Sequence, residues 1–139
     1  MIAASSLSSR GADIVHILVG TDGSDGAGRA VELAARLAAG LRASLTIVHV
    51  VTLDDPPLDA HNDHASIARV RAEELGALDV HSESLAGNDI AAIIMEAARR
   101  GEVDLIIVGK RGLTRVTGLL LGSVSQKLVS AAPCAVTVV

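Results

Sequence analysis

The sequence predicts an α/β domain, a five-stranded and mostly parallel sheet sandwiched between helices, and three observations carry that prediction. Short aliphatic runs alternate with segments whose apolar residues recur at helical spacing, in the order β-α-β-α-β-α-β-loop-α-β. Half of the 139 residues are apolar, yet none is Phe, Tyr or Trp, so the core must be built from Val, Ile, Leu and Ala. Those residues suit parallel strands buried on both faces. Finally, a glycine-rich stretch from Gly109 to Ser125 (GKRGLTRVTGLLLGSVS) joins an aliphatic run to the start of the last helix.

The elements are taken in chain order. Residues 14–19 (IVHILV) form a short apolar run stopped by Gly20, a buried strand. Gly20-Thr21-Asp22-Gly23-Ser24 is a turn, and Ser24 can cap the helix that begins after it. Ala27, Ala30, Val31, Ala34, Leu37, Ala38 and Leu41 mark the buried side of the first helix, and Gly40 is its expected stop. Residues 45–51 (LTIVHVV) are the second strand, broken by Asp54-Asp55-Pro56-Pro57. A helix of weaker pattern is expected over about 59–75, ended by Gly76. Residues 79–85 (DVHSESL) alternate, which places that strand near a sheet edge with one face open. Asn88 is the expected N-cap of the third helix, with Asp89 complementing its start and Arg99 and Arg100 its end. Its buried stripe is Ile90, Ile93, Ile94, Ala97 and Ala98. Residues 104–108 are the fourth strand, 124–132 a helix that stops before Pro133, and 135–139 (AVTVV) the last strand. Right-handed crossovers then put helices on both faces of the sheet.

Composition narrows the function. The net charge of −4 argues against a general nucleic-acid binder, which would show a basic face. Lys110, Arg111 and Arg115 cluster in the glycine-rich stretch, which suits a small anionic ligand better than a duplex. The single cysteine, Cys134, cannot form an internal disulfide and reads as a buried structural thiol. Residues 1–13 are small and polar, without the apolar core of a signal peptide, and read as a disordered tail before a domain over 14–139. No run reaches the ~20 apolar residues of a membrane span, so the expectation is a cytoplasmic protein with no membrane or nucleic-acid partner.

Strand, glycine-bearing loop and helix start is an arrangement that binds phosphate. Backbone N–H groups point out of the helix start, and the helix dipole favours an anion there. The spacing excludes two common phosphate motifs. Lys110 is not preceded by the spaced glycines of a Walker A loop, and Gly20-Thr21-Asp22-Gly23 is no dinucleotide fingerprint. Other polar residues have plainer readings. His61 and His64 have metal-pair spacing but a polar flank and no nearby cysteine, so they read as solvated surface. His16 and His49, inside apolar strands, read as hydrogen-bonded core histidines. Ser123 lacks the setting of a nucleophile elbow and reads as a helix cap and phosphate ligand.

Gly109, Gly112, Gly122 and Ser123 match the G-x2-G-x9-G-[ST] motif of the nucleotide-binding members of the universal stress protein family, which this sequence resembles from residue 14 to 139. The first-strand turn, Thr21-Asp22-Gly23-Ser24, and His49-Val50 at the end of the second strand resemble two further landmarks of that family. The resemblance implies a Rossmann-like three-layer sandwich with strand order 3-2-1-4-5. It implies ATP, accompanied by Mg²⁺, as the ligand. Adenine would be held in an apolar slot by backbone bonds near Val50. Gly20, Thr21 and Asp22 would lie by the ribose or a metal-bridged phosphate, and Gly109, Arg111 and Gly112 by ribose and phosphates. Gly122, Ser123, Val124 and Ser125 would offer backbone N–H groups and two hydroxyls to the terminal phosphates. A homodimer through the last strand, Ala135 to Val139, is also implied, with a regulatory protein partner.

No general base or catalytic pair stands out, and no protein metal site. The expected function is therefore a dimeric, ATP-binding stress-response sensor or regulator, not an enzyme, with hydrolysis slow or absent. Two alternatives stay open: an interaction protein of the same fold without nucleotide, and a small ATP-dependent transferase.

Overall fold

The computed structural model describes residues 13–110 and 121–139. The elements are β1 (His16–Gly20), α1 (Asp25–Leu41), β2 (Ser44–Val51), α2 (His64–Glu74), β3 (Val80–Ala86), α3 (Ile90–Arg100), β4 (Leu105–Val108), α4 (Ser123–Ala131) and β5 (Ala135–Val138). The sheet order is β3-β2-β1-β4-β5, and every pairing is parallel. The fold is the expected three-layer sandwich, with an all-parallel sheet in place of a mostly parallel one. The tail expected over 1–13 falls, apart from Asp13, outside the described residues.

Strand periodicity divides the core in two. Ile17, Val19, Leu45, Ile47 and Ile107 point to one face and are buried with Ala30, Ala34 and Ala38 of α1 and Ala65 and Ala72 of α2. Leu18, Val48, Val50, Ile106 and Val108 point to the other, with Ile94 of α3 and Leu128 of α4. The alanines let helices lie close to the aliphatic sheet, which compensates in packing for the absent aromatic rings. β3 lies at the edge of the sheet, as its alternating sequence requires.

Several boundaries differ from expectation, each for a local reason. α1 runs through Gly40 and ends at Arg42, which takes a left-handed conformation (φ 55°). Ala43 N–H then bonds back to the Ala38 carbonyl at 2.9 Å. Buried Ala43 anchors this turn, so the exposed glycine is not needed as the stop. α2 begins at His64, not near residue 59. Asp59 Oδ1 accepts from the His61 N–H (2.7 Å) and the Asn62 N–H (3.2 Å), an Asx turn that competes with helix. Asp63 is the actual cap, its side chain accepting from Ser66 N–H. At α3 the cap is Asp89, accepting from Ala92 N–H, while Asn88 Oδ1 accepts from the Leu53 N–H (3.3 Å). His16 is hydrogen-bonded as expected: Nδ1 donates to the Gly101 carbonyl (2.8 Å), so Nε2 accepts from the Thr46 hydroxyl (2.7 Å). Cys134 is buried, and burial together with the nearby Asp104 charge pushes its thiol up to about 11, so it is an inert packing group. Among the described residues, no helix is long and apolar enough to cross a membrane.

Leu18 sits in the central strand with no solvent exposure. Leu18→Ala is expected to cost about 3 kcal/mol, the loss of buried area plus the cavity left behind. Urea unfolding followed by far-ultraviolet circular dichroism measures it.

Candidate functional site

β1 and β4 are neighbours, with Ile17, Leu18 and Val19 opposite Leu105, Ile106 and Ile107. β2 and β3 extend from one side of this pair and β5 from the other, so the strand order reverses between β1 and β4. Open parallel sheets take ligands at the carboxyl ends of the strands at such a point. A cleft of about 110 Å³ lies there. Its walls are aliphatic, from Val48 and Val50 of β2, Ile90 and Ile94 of α3, Val108 and Val124. Thr21, Asp22 and Ser24 bring polar groups to it, and Gly20 and Gly109 form its floor.

The turn after β1 is locked by its own polar groups. Thr21 N–H continues the ladder onto the Val48 carbonyl (2.9 Å), and Thr21 Oγ1 accepts from Gly23 N–H (3.2 Å). Asp22 Oδ1 accepts from Ser24 N–H (2.9 Å), and Ser24 Oγ caps α1 by accepting from Ala27 N–H (3.2 Å). Asp22 is thus held half-exposed, and among the described residues its second carboxylate oxygen has no hydrogen bond. In a parallel ladder, alternate residues direct both backbone groups to the same neighbour. Since Val48 bonds toward β1, Val50 also faces that side, beyond the point where β1 has turned away at Thr21. Val50 therefore carries an N–H and a C=O to the cleft, which is the pattern an adenine edge needs.

Two glycines owe their place to packing. A Cβ at Gly109 would stand 2.9 Å from the Gly26 carbonyl carbon and 3.0 Å from its oxygen, so the end of β4 lies directly on the first turn of α1. A Cβ at Gly20 would meet Ile94 Cδ1 at 3.2 Å.

At the other end of the cleft, α4 starts at Gly122 with no side-chain cap. The first bond of the helix runs from Gln126 N–H to the Gly122 carbonyl (3.0 Å), so the amides of Ser123, Val124 and Ser125 precede it at the positive end of the dipole. Two expectations need correction here. Gly122 N–H is spent on the Lys110 carbonyl (2.7 Å), and Ser125 is buried, its hydroxyl donating to the carbonyls of Lys110 (2.8 Å) and Gly122 (3.1 Å). These groups close the base of the loop, because a serine in the first turn of a helix has carbonyls within reach behind it. Only the exposed Ser123 keeps a hydroxyl turned outward. Arg111, Gly112 and Arg115 lie outside the described residues.

The structure thus brings Gly20, Thr21, Asp22, Val50, Gly109 and Val124 of the expected set to one cleft. The sequence reading missed Val48, Ile90, Ile94 and Val108, whose signal was their place at strand ends and in the first turns of the third helix. It also misjudged His49. That side chain is buried, and among the described residues its Nδ1 has no hydrogen-bond partner. Instead its ring meets His64 edge-on, with centroids 4.9 Å apart and planes at 65°. Among the described residues, no group of three or more His, Cys, Asp or Glu could hold a metal ion.

Burial, and next the charge of His64, hold the His49 pKa below its ordinary value of 6.5 against the pull of Asp55, Asp22 and Asp63. The unfolded chain therefore binds this proton more readily than the native protein. The contribution of neutral His49 to stability is present above pH 6.5 and is lost as pH falls below it. Stability is expected to decline from about pH 7.5 to about pH 5.5, and His49→Leu to flatten that decline. Chemical denaturation at each pH checks it.

An all-parallel sandwich with a small-ligand cleft at its switch point defines a doubly wound α/β protein. The chain belongs to the universal stress protein family, whose family model matches residues 14–139. It is 36% identical over 132 residues to a universal stress protein of Thermus aquaticus, covering 88% of this chain and 96% of that protein. Among solved structures it is similar to a universal stress protein in complex with cAMP (31% identity, TM-score 0.76, covering 91% of this chain and 97% of the other). It is also similar to the universal stress protein UspA of Lactobacillus plantarum (25% identity, TM-score 0.78, covering 91% and 97%).

Proposed function

We propose that this protein is an adenine-nucleotide-binding regulator that takes ATP with Mg²⁺ in the β1–β4 cleft and acts as a homodimer. The observation that carries the reading is the backbone edge of Val50, turned into an aliphatic slot between the Asp22 turn and the uncapped start of α4. The base would lie among Val48, Val50, Ile94 and Val108, with the phosphates toward the amides of Ser123 to Ser125. Mg²⁺ suits the donor set present, because that ion is commonly held by one carboxylate, here Asp22, together with phosphate oxygens and water. Among the described residues that line the cleft, Asp22 is the one titratable residue. The described lining residues hold no acid–base pair, and the protein is proposed to hold ATP and not to turn it over at an appreciable rate. A second reading, cAMP as the ligand, is favoured by the cAMP complex of a relative 31% identical.

The absence of Trp, Tyr and Phe gives a direct assay. The purified protein, freed of nucleic acid, is expected to show the purine absorption band of retained nucleotide on an otherwise nearly transparent near-ultraviolet spectrum. After its removal, calorimetric titration with Mg·ATP is expected to give a Kd in the micromolar range, on the order of −8 kcal/mol. Asp22→Ala should weaken it about tenfold, and titration with cAMP separates the two ligands. Absence of heat with either nucleotide overturns the reading.

The dimer is proposed to form through β5, an edge strand of the sheet. Val139 bonds inward, its N–H to the Val108 carbonyl (2.9 Å) and its carbonyl to Lys110 N–H (2.8 Å), so the alternation turns Val138 outward. Val138→Pro removes a donor from the outer edge only. It is expected to yield a folded monomer where the parent sediments as a dimer.

A further inference from the structure

The His49–His64 pair lies behind the turn that builds the ligand cleft. His49 alternates with Ile47 along β2 and so points to the α1–α2 side of the sheet. His64 is the first residue of α2. Its ring lies on the backbone of Gly23: a Cβ there would stand 2.4 Å from both Cε1 and Nδ1 of the imidazole. Gly23 has φ +80°, a conformation glycine adopts freely, so the position is suited to backbone against ring. Its neighbours Asp22 and Ser24 both line the cleft. A continuous chain of contacts therefore runs from a buried, unpartnered imidazole nitrogen through His64 and Gly23 to the cleft.

We propose that the His49–His64 contact is a proton-sensitive latch on the ligand cleft. While both rings are neutral, the contact holds the Asp22–Ser24 turn in its ligand-binding shape. Proton uptake by the pair parts the rings and lowers ligand affinity. The physical reason is twofold. A proton on His49 Nδ1 would place a charged donor where no acceptor waits. Charge on both rings at once would repel across their edge contact, the Coulomb effect that helps lower the His49 pKa. The groups facing the pair are Asp22 from the β1 turn, Asp55 from the segment after β2 and Asp63 at the cap of α2. In the adjoining cleft, Glu32 of α1 and Arg71 of α2 engage each other at 3.2 Å, with His61 alongside.

The inference rests on the nucleotide reading only for its ligand, and the test has one arm for each. Mg·ATP affinity is measured at about pH 7.5 and about pH 5.5 for the parent and for His64→Phe, which keeps an uncharged ring on Gly23. Titration of the phosphates themselves is common to both proteins. The parent is expected to lose affinity about tenfold more than the variant, and equal losses overturn the latch. In the ligand-free parent, proton–nitrogen NMR is expected to show the Gly23 and Ser24 amides shifting together with the His49 ring as pH falls. Amides that ignore that titration overturn the latch even if no nucleotide binds, whereas failure of Mg·ATP to bind at the higher pH overturns only the nucleotide reading. If His64→Phe does not fold, His64→Gln takes its place in both arms.

Discussion

The parallel pairing of β1 with β4 is the constraint on which the rest of the structure depends. It sets side by side two strands distant in sequence, with Leu18 against Ile106 and Val19 against Ile107. β1 ends at Gly20 and Gly109 follows β4, and there the chain leaves both strands. The gap left between those departures is the cleft. Its width is set by a backbone contact, the approach of Gly109 to Gly26 in the first turn of α1, which leaves no room for a side chain. Sheet register, helix placement and cleft are thus one geometric fact seen at three scales.

A core without aromatic rings shapes what that cleft can do. Aliphatic strands and alanine-rich helix faces pack closely, and the slot inherits their smooth walls. No Phe, Tyr or Trp is present to stack on a ligand. A ligand there would meet aliphatic walls and backbone groups, among them those at Val50 and at the start of α4. This division, apolar walls with a few fixed polar groups, is the usual composition of a small-molecule site.

The candidate site was legible in part. Gly20, Thr21, Asp22, Gly109 and Val124 were readable because turn chemistry and helix starts are written in neighbouring residues. Val50 was readable only through the family likeness, since its backbone becomes available through the early departure of β1, a property of two strands together. The Ser125 hydroxyl and the Gly122 N–H turn to the Lys110 carbonyl, and a serine at a helix start looks the same in sequence whether its hydroxyl faces a ligand or the carbonyls behind it. His49 was misassigned for a similar reason. Its burial followed from the apolar strand around it, but its neighbour His64 arrives from another element.

The sequence by itself determined the order of the elements, the parallel aliphatic sheet, the edge position of β3 and the glycines at the carboxyl ends of β1 and β4. Each arises from periodicity or turn chemistry within a few residues. Tertiary structure alone decided that α1 would stop at Arg42 by anchoring Ala43, that an Asx turn at Asp59 would delay α2, and that Gly109 would be needed against Gly26. It also decided that two histidines would meet behind the Asp22 turn. The reason is physical: local patterns encode which face a residue presents, whereas the partner met on that face depends on how separate elements pack.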